Sequence, residues 1–508
     1  MKKFKLLSLI VLSLFLISLV GCDINLDFGG NQGTNQGSNQ GSENQGNSQG
    51  GENQGNSGGD DEPIHLHHTV NFFTLNDVHG HLITDVDVEI YAGLDKTSTI
   101  LHSLEENDDY IKISNGDMFQ GTQFSNSLYG LPGIEWMNLE NFDCFVIGNH
   151  EFDWGIDKIA AYKDGNLDNG ELAEDCEILG CNIYLKSTNA MPSWLQAYSI
   201  EECNGYKVGV IGCIGEGLTS SISASMVADY KFVDPVPLVR EYAKKLRIEE
   251  KCNVVIVSIH EYDQNTNNRF AALADESRID AIICGHSHTE NADHLTRSDG
   301  YIIPVIQCRG YNSSNGTINI SMNDDKPVSN GIINHYYPSR YESNKAAYDL
   351  LYKRYKDIKE TNSVVAYSTR NFNKESLGKL CCDALRDKYK VEVGICNVGG
   401  IRSTIASGDI TYSDIYNVFP FDNTVFIIKM NGRDLENAIN SSLYYTVDES
   451  MLNSGDLFKA NQVYNVAIIS YVYENYNAFN SKALEANDTS ILVRDVVAEY
   501  MAIKYPKN

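Results

Sequence analysis

The sequence predicts an α/β protein with two folded parts, and three observations carry that expectation. Five apolar, β-branched runs each end, at the last residue or just after it, in Asp, Asn or His. They are 70–80 (VNFFTLNDVHG), 110–117 (YIKISNGD), 143–153 (DCFVIGNHEFD), 253–260 (NVVIVSIH) and 280–288 (DAIICGHSH). Helix-like stretches such as 237–252 (PLVREYAKKLRIEEKC) alternate with strands, which suits one sheet or a two-sheet sandwich. At 508 residues the chain exceeds one ordinary core, so two folded domains are expected. Open α/β sheets place their sites outside the carboxyl ends of strands, so the five polar ends suggest an edge where ligands converge.

In chain order, the N-terminus belongs to neither folded part. A basic start (MKKFK), an apolar run of signal-peptide length and LVGC with small residues before Cys22 predict a secretory signal over 1–22. Its ending resembles the bacterial lipobox, which makes Cys22 the expected lipidation site. Two or more acyl chains there would anchor the protein stably to the cell membrane, on its extracytoplasmic side. Residues 23–67 follow as an Asn/Gly/Gln-rich tether with repeated NQG units and almost nothing apolar. Such a segment buries too little surface to offset the entropy of ordering, so a flexible spacer is expected. The first folded domain is assigned to 68–340 and a connecting helix to 341–362, around the charge-rich ESNKAAYDLLYKRYKDIKE. A second domain follows over 363–508. It opens on an amphipathic helix near 376–388, contains the loop NVGGIRSTIASGDITYSD (397–414) and the strand NTVFIIKM, and closes on a strand-then-helix unit.

The formal net charge of −28 argues against nucleic-acid duplexes as partners, although bound cations would reverse the local sign for a small anionic substrate. The twelve cysteines form no CxxC pair, so a zinc–thiolate site is not expected. No obligate protein partner is evident.

The polar strand ends carry metal-ligand chemistry. Asp77 and His79 alternate in a tight loop, as do His286 and His288, so each pair can reach one cavity. Asp117 follows Gly116, and a carboxylate there can bridge two cations. Asn149 and His150 follow Gly148, Asp153 lies within a turn of His150, and His260 stands alone. Hard and borderline ligands without thiolate suit Mn, Zn, Fe or Mg as divalent ions. Two such ions about 3.5–4 Å apart can clamp a phosphoryl group.

DVHG, NGD, GNHEFD, His260 and GHSH together resemble the calcineurin-like metallophosphoesterases. NVGGIR, GDITYSD and the FPFDN loop resemble the substrate domain of secreted 5′-nucleotidases. The resemblance implies a four-layer αββα sandwich followed by a smaller α/β substrate-binding domain. It implies that Asp77, His79, Asp117 and His288 hold one metal, and that Asp117, Asn149, His260 and His286 hold the other. His150 would then stabilise developing charge or protonate the leaving oxygen, oriented by Asp153. Arg402, after a glycine pair, would approach an anionic group. Asn397 would bond base or ribose, and Phe421 and Asn423 occupy the family's aromatic and polar positions. Tyr471 is the expected second aromatic wall. Where the family carries a ribose-binding Asp in a glycine-rich stretch, this chain reads YVYENYNAFN, with Asn477 at that position. Arg370 lies near the family's first substrate-domain Arg but out of register with it.

The expected function is extracellular, metal-dependent hydrolysis of a small phosphorylated substrate, by in-line attack of a metal-bound hydroxide. Nucleoside 5′-monophosphates are the first choice, giving nucleoside and phosphate. A 2′,3′-cyclic nucleotide phosphodiesterase or a nucleotide-sugar hydrolase is the alternative on the same scaffold. A non-catalytic surface binding lipoprotein is the alternative of another class.

Overall fold

The computed structural model describes residues 68–84, 91–106, 108–163, 170–451 and 457–507. The signal, Cys22 and the tether lie outside these residues. Among the described residues no helix is long and apolar enough to cross a membrane.

The predicted sandwich is present, and side-chain alternation builds it. In the Thr69–Leu75 strand, Val70 and Phe72 face one way, into a core shared with Val208, Val210, Val254, Ile256, Ala281 and Ile283 of a second sheet. Phe73 and Leu75 face the other way, onto helices that include Leu94–Glu105 and Lys345–Thr361. Val255, Val257 and Ile259 likewise turn outward, beneath Pro235–Ile248 and Gln264–Ala271. With both faces covered, these strands read as unbroken apolar runs, which is why their sequences lack the alternation of half-exposed strands. Each fully buried Val, Ile or Phe contributes about 1.5–3 kcal/mol. The first sheet has seven strands and the second six, giving helix, sheet, sheet and helix in layers.

Local signals explain the helix ends. Asp234 caps Pro235–Ile248 by accepting from the Val236 N–H at 3.2 Å, with proline in the first turn, where no N–H partner is needed. The helix expected as a connector runs Lys345–Thr361 and forms part of the first domain's outer layer. Ala347, Leu351 and Tyr355 are buried in that core, and Arg354 pairs with Glu135 at 2.6 Å. The second domain is a five-stranded sheet in which Val393–Asn397 lies between Leu443–Val447 and Val463–Ile469. Lys374–Tyr389 and Val493–Lys504 share its core.

All eleven described cysteines are buried free thiols. They pack as small apolar residues.

A pH dependence of stability arises at Asp143. Its Oδ2 accepts from the Lys112 N–H at 2.7 Å, yet burial pushes the carboxyl up to about 6, from 3.8 in its ordinary state. A value raised on folding means that the neutral form is favoured in the native state. The contribution is therefore full below pH 3.8 and is lost as pH rises through about 6. Thermal melts of Asp143→Asn should show a flatter pH profile than the parent between pH 4 and about 7. Parallel profiles would contradict this.

Candidate metal centre and active site

The five polar strand ends do converge, and unusual backbone geometry brings them together. Asp77, His79, Asp117, His286 and His288 all adopt positive φ, between 51° and 74°. For non-glycine residues this conformation costs energy and persists only where surrounding structure holds it. For Asp77, His79 and Asp117 the hold is a ladder between two loops: the N–H groups of Asp77, His79 and Gly80 donate to the carbonyls of Gly116, Asp117 and Met118 at 3.0–3.1 Å, while the His286 N–H donates to Asp77 Oδ2 at 2.9 Å. Gly116 is required by space as well as by its φ of +80°. A Cβ there would come within 2.5 Å of His260 Nδ1 and 2.7 Å of the Gly148 nitrogen.

The ligand atoms meet over a few ångströms. Asp77 Oδ1 lies 3.3 Å from His288 Nε2 and 4.0 Å from the Nε2 atoms of His79 and His260. Asp117 Oδ2 lies 3.1 Å from His260 Nε2 and 3.9 Å from His79 Nε2. Three groups bring their ligand atoms within 4.8 Å of one another: Asp77, His79 and His288; Asp117, His260 and His286; and His79, Asp117 and His150. Asn149 Oδ1 lies 2.9 Å from His286 Nδ1.

These atoms suit divalent cations, on chemical grounds. His79 Nδ1 lies 2.9 Å from the Gln120 carbonyl and His260 Nδ1 lies 2.7 Å from that of Asn115. A carbonyl accepts only, so each Nδ1 carries the proton and each Nε2 presents a lone pair. Those lone pairs face carboxylate oxygens, and Asp77 Oδ1, Asp117 Oδ2 and His260 Nε2 are buried with no hydrogen-bond partner. Buried acceptors facing acceptors are costly unless a cation lies between them. Without a cation the same pairing draws a proton instead: burial would lower His260, but Asp117 pulls it up to about 10, and a bound cation would displace that proton from Nε2. Burial also opposes ionisation of Asp117, yet the imidazoles, His260 first, hold it well below the usual carboxylate range. Burial and Arg402 keep His79 neutral, and burial with His260 holds His286 near 4.

His150 sits beside this cluster. Its Nδ1 lies 2.7 Å from Asp153 Oδ2, and its backbone N–H donates to Asp117 Oδ1 at 2.8 Å. Burial alone would lower its pKa, but Asp153 and Asp117 outweigh that and raise it. The imidazole can therefore hold a proton on Nε2 while Asp153 fixes the ring.

A cavity of about 410 Å³ opens from this point into the second domain. It is lined by Asn149, His150, Asp153 and His286 and, across from them, by Asn397, Arg402, Phe421, Asn423 and Tyr471. Phe421 lies 5.5 Å from the His150 ring. Arg402 donates to His79 Nε2 at 3.1 Å, which places its guanidinium at the candidate metal-ligand cluster. Asn397 Oδ1 is buried without a partner, whereas Asn423 Oδ1 is engaged by Ser470 Oγ and the Tyr471 N–H.

Asn477 is a correction. It begins the short Asn477–Asn480 helix, is exposed and does not line the cavity. In the preceding Ser470–Asn475 turn, residues 471, 474 and 475 share a face, as positions three and four apart do on a helix. That face meets a first-domain loop: Glu474 accepts from Ser223 Oγ at 2.7 Å, Asn475 donates to the Ile222 carbonyl at 2.6 Å, and Tyr471 donates to that of Ser220 at 3.0 Å. The YVYEN segment thus bridges the domains across the cavity wall. Arg370 is also remote from the cavity and bonds the Tyr505 hydroxyl at 3.0 Å.

Sequence reasoning missed Glu151 and Tyr311. Both Glu151 oxygens are used: Oε2 accepts from the Asp117 and Gly148 N–H groups at 2.9 and 2.8 Å, and Oε1 from Met118 at 3.0 Å. It ties the Asp117 loop to the Asn149 loop. Its position inside GNHEFD was the available signal. Tyr311 packs its ring 5.0–5.4 Å from His79 and His288, and no motif marks it.

Residues 70–290 match the family described as calcineurin-like phosphoesterase, and residues 356–481 match the 5′-nucleotidase C-terminal domain. The chain is 24% identical over 74% of its length to endonuclease YhcR of Bacillus subtilis, and spans 33% of that relative. It is 23% identical over 72% of its length to a 5′-nucleotidase of Vibrio parahaemolyticus, covering 73% of it. The crystal structure of a 5′-nucleotidase precursor from Thermus thermophilus matches with a TM-score of 0.73 at 16% identity, over 86% of this chain and 97% of that one; this likeness concerns the fold. The chain therefore carries a calcineurin-like phosphoesterase domain over residues 70–290, followed by a 5′-nucleotidase C-terminal domain over residues 356–481.

Proposed function

We propose that the chain hydrolyses nucleoside 5′-monophosphates to nucleoside and phosphate, outside the cytoplasm and tethered through Cys22. The observation that carries this reading is one cavity lined both by residues of the candidate cation cluster, Asn149 and His286, and by two aromatic side chains, Phe421 and Tyr471. Asp77, His79, Asp117 and His288 would hold one divalent ion, and Asp117, Asn149, His260 and His286 a second. When bound, such ions supply Lewis acidity toward phosphoryl oxygens and lower the pKa of water. The protein's own residues do the rest. Arg402 neutralises a phosphoryl oxygen beside His79, and His150 offers its Nε2 proton to a phosphoryl or leaving oxygen while Asp153 holds the ring. Phe421 and Tyr471 contact the base, where an aromatic face is worth about 1–3 kcal/mol. Asn397 turns an otherwise unpartnered oxygen toward base or ribose.

The mature protein with Mn²⁺ should turn over AMP faster than UDP-glucose, 2′,3′-cyclic AMP or a generic aryl phosphate. Turnover of AMP no better than the aryl phosphate would defeat the nucleotidase reading. Arg402→Ala should lower kcat/KM for AMP by roughly 10–100-fold, the loss of a charge-assisted contact of about 1.5–3 kcal/mol. Arg402→Lys should recover little of it, because an ammonium lacks the planar fork. Full recovery by lysine would argue against bidentate contact.

A further inference from the structure

Gln120 lines the cavity with an amide that the rest of the protein leaves unused. The residue is 1% exposed, and its Nε2 and Oε1 both lack a hydrogen-bond partner among the described residues. Burial in that state costs stability, because neither atom regains the bonds it made to water. Two other residues of this cavity carry such an atom, Asn149 with Nδ2 and Asn397 with Oδ1, and both have a ligand to meet in the reading above. Gln120 has none. Its backbone fixes where the amide stands. The Gln120 carbonyl lies 2.9 Å from His79 Nδ1, and Arg402 reaches the same ring from the second domain, at Nε2. One residue on, the Gly121 N–H donates to Asn126 Oδ1 at 2.9 Å, and Asn126 Nδ2 donates to the Pro420 carbonyl at 3.0 Å. Gly121 lines a second cavity, of about 470 Å³, which meets the cluster at His79, whereas Gln120 lines the first.

The bond to His79 puts this amide at the cluster end of the cavity, where Arg402 also stands and where the phosphoryl group of an ester would lie. We infer that Gln120 is a further catalytic residue, whose Nε2 donates to a phosphoryl oxygen of the substrate. This rests on the phosphoester reading above. A neutral donor suits the place. The phosphoryl oxygens share the charge of the transition state, and a fixed donor stabilises them without adding a positive charge that would compete with cations held by the same cluster. The amide also brings an acceptor, Oε1, which neither Arg402 nor a cation offers. A phosphate group that keeps its second proton, lost with a pKa of about 6, can donate to it. The stability given up by burying two unpaired atoms is then recovered when substrate binds, as at other sites where activity and stability oppose each other.

The test is Gln120→Met, which keeps the length of the side chain and removes both polar atoms. In the mature protein with Mn²⁺, kcat/KM should fall roughly 10–100-fold, and by the same factor for AMP and for p-nitrophenyl phosphate, which share only the phosphoryl group. Inorganic phosphate, tested as a competitive inhibitor, should bind more weakly in step. The melting temperature should stay level or rise, since the substitution removes two unsatisfied buried atoms and breaks no bond within the protein. A residue that served only the fold would show the reverse, a lower melting temperature, and that result would overturn the inference. Unchanged constants would overturn it too, and so would a loss confined to AMP, which would place the contact on the nucleoside. In each of those cases the parent still hydrolyses both compounds and the phosphoester reading stands. A parent that hydrolyses neither would sink that reading, and this inference with it.

Discussion

Asp117→Asn should lower kcat/KM at least a thousandfold, with a parallel loss of bound metal. Both oxygens of Asp117 are committed: Oδ1 accepts from the His150 N–H, and the unpartnered Oδ2 stands 3.1 Å from His260 Nε2. The amide keeps the shape and removes the charge that two cation positions sharing Asp117 would require. A thousandfold change corresponds to about 4 kcal/mol, within the several kcal/mol a divalent ion supplies to a phosphoryl transition state. A second readout does not depend on turnover. Cations that bind only the native state stabilise it by about 2.7 kcal/mol at one hundred times Kd, so Mn²⁺ should raise the parent's melting temperature. That rise should vanish in Asp117→Asn. Hydrolysis persisting alongside an intact thermal shift would show that the cluster is not the metal centre.

Glu151→Ala should be the most destabilising single change near the site. The carboxylate accepts from three backbone N–H groups, those of Asp117, Met118 and Gly148, in a fully buried setting. Each donor left unsatisfied costs about 1–3 kcal/mol, so the sum is a large share of the roughly 5–15 kcal/mol that holds a protein folded. Glu151→Gln should fall between parent and alanine, because its amide keeps one acceptor and turns its NH₂ toward a backbone donor. Burial raises the Glu151 carboxyl to about 7, with Asp117 adding to the effect, so its charge is held at some cost even in the parent. Metal affinity should also fall by roughly 10–100-fold, as for other residues that orient ligands. A Glu151→Ala protein that melts with the parent would refute this role.

How far the site was legible follows from the physics of each residue. Asp77, His79, Asp117, Asn149, His260, His286 and His288 could be named because a strand's end is encoded locally, by an apolar run meeting glycine and a polar group. The left-handed backbone at five of them could not be foreseen. At Asp77, His79 and Asp117 it depends on the hydrogen-bonded ladder between loops forty residues apart in sequence, and at His286 the backbone N–H is held by Asp77, more than two hundred residues away. Glu151 lay in view inside GNHEFD, but consecutive polar residues on a tight turn face different ways, and only packing separates ligand from bracket. Asn477 was misplaced because register in YVYENYNAFN was counted along the chain. Helical winding instead puts 471, 474 and 475 on the face that meets the first domain.

What the sequence determined by itself was everything set by short-range pattern. This comprises the α/β class, the candidate ligand types and their order along the chain, and the glycines that allow close approach. Tertiary structure decided what depends on residues far apart in the chain. It oriented Arg402 onto His79, set Phe421 against His150, and bridged the domains through Glu474 and Asn475. It also opened a cavity on each side of the cluster. The reason is that a strand end specifies where a side chain emerges, whereas the distance between two such ends is set by sheet packing and domain contact, and catalysis depends on that distance.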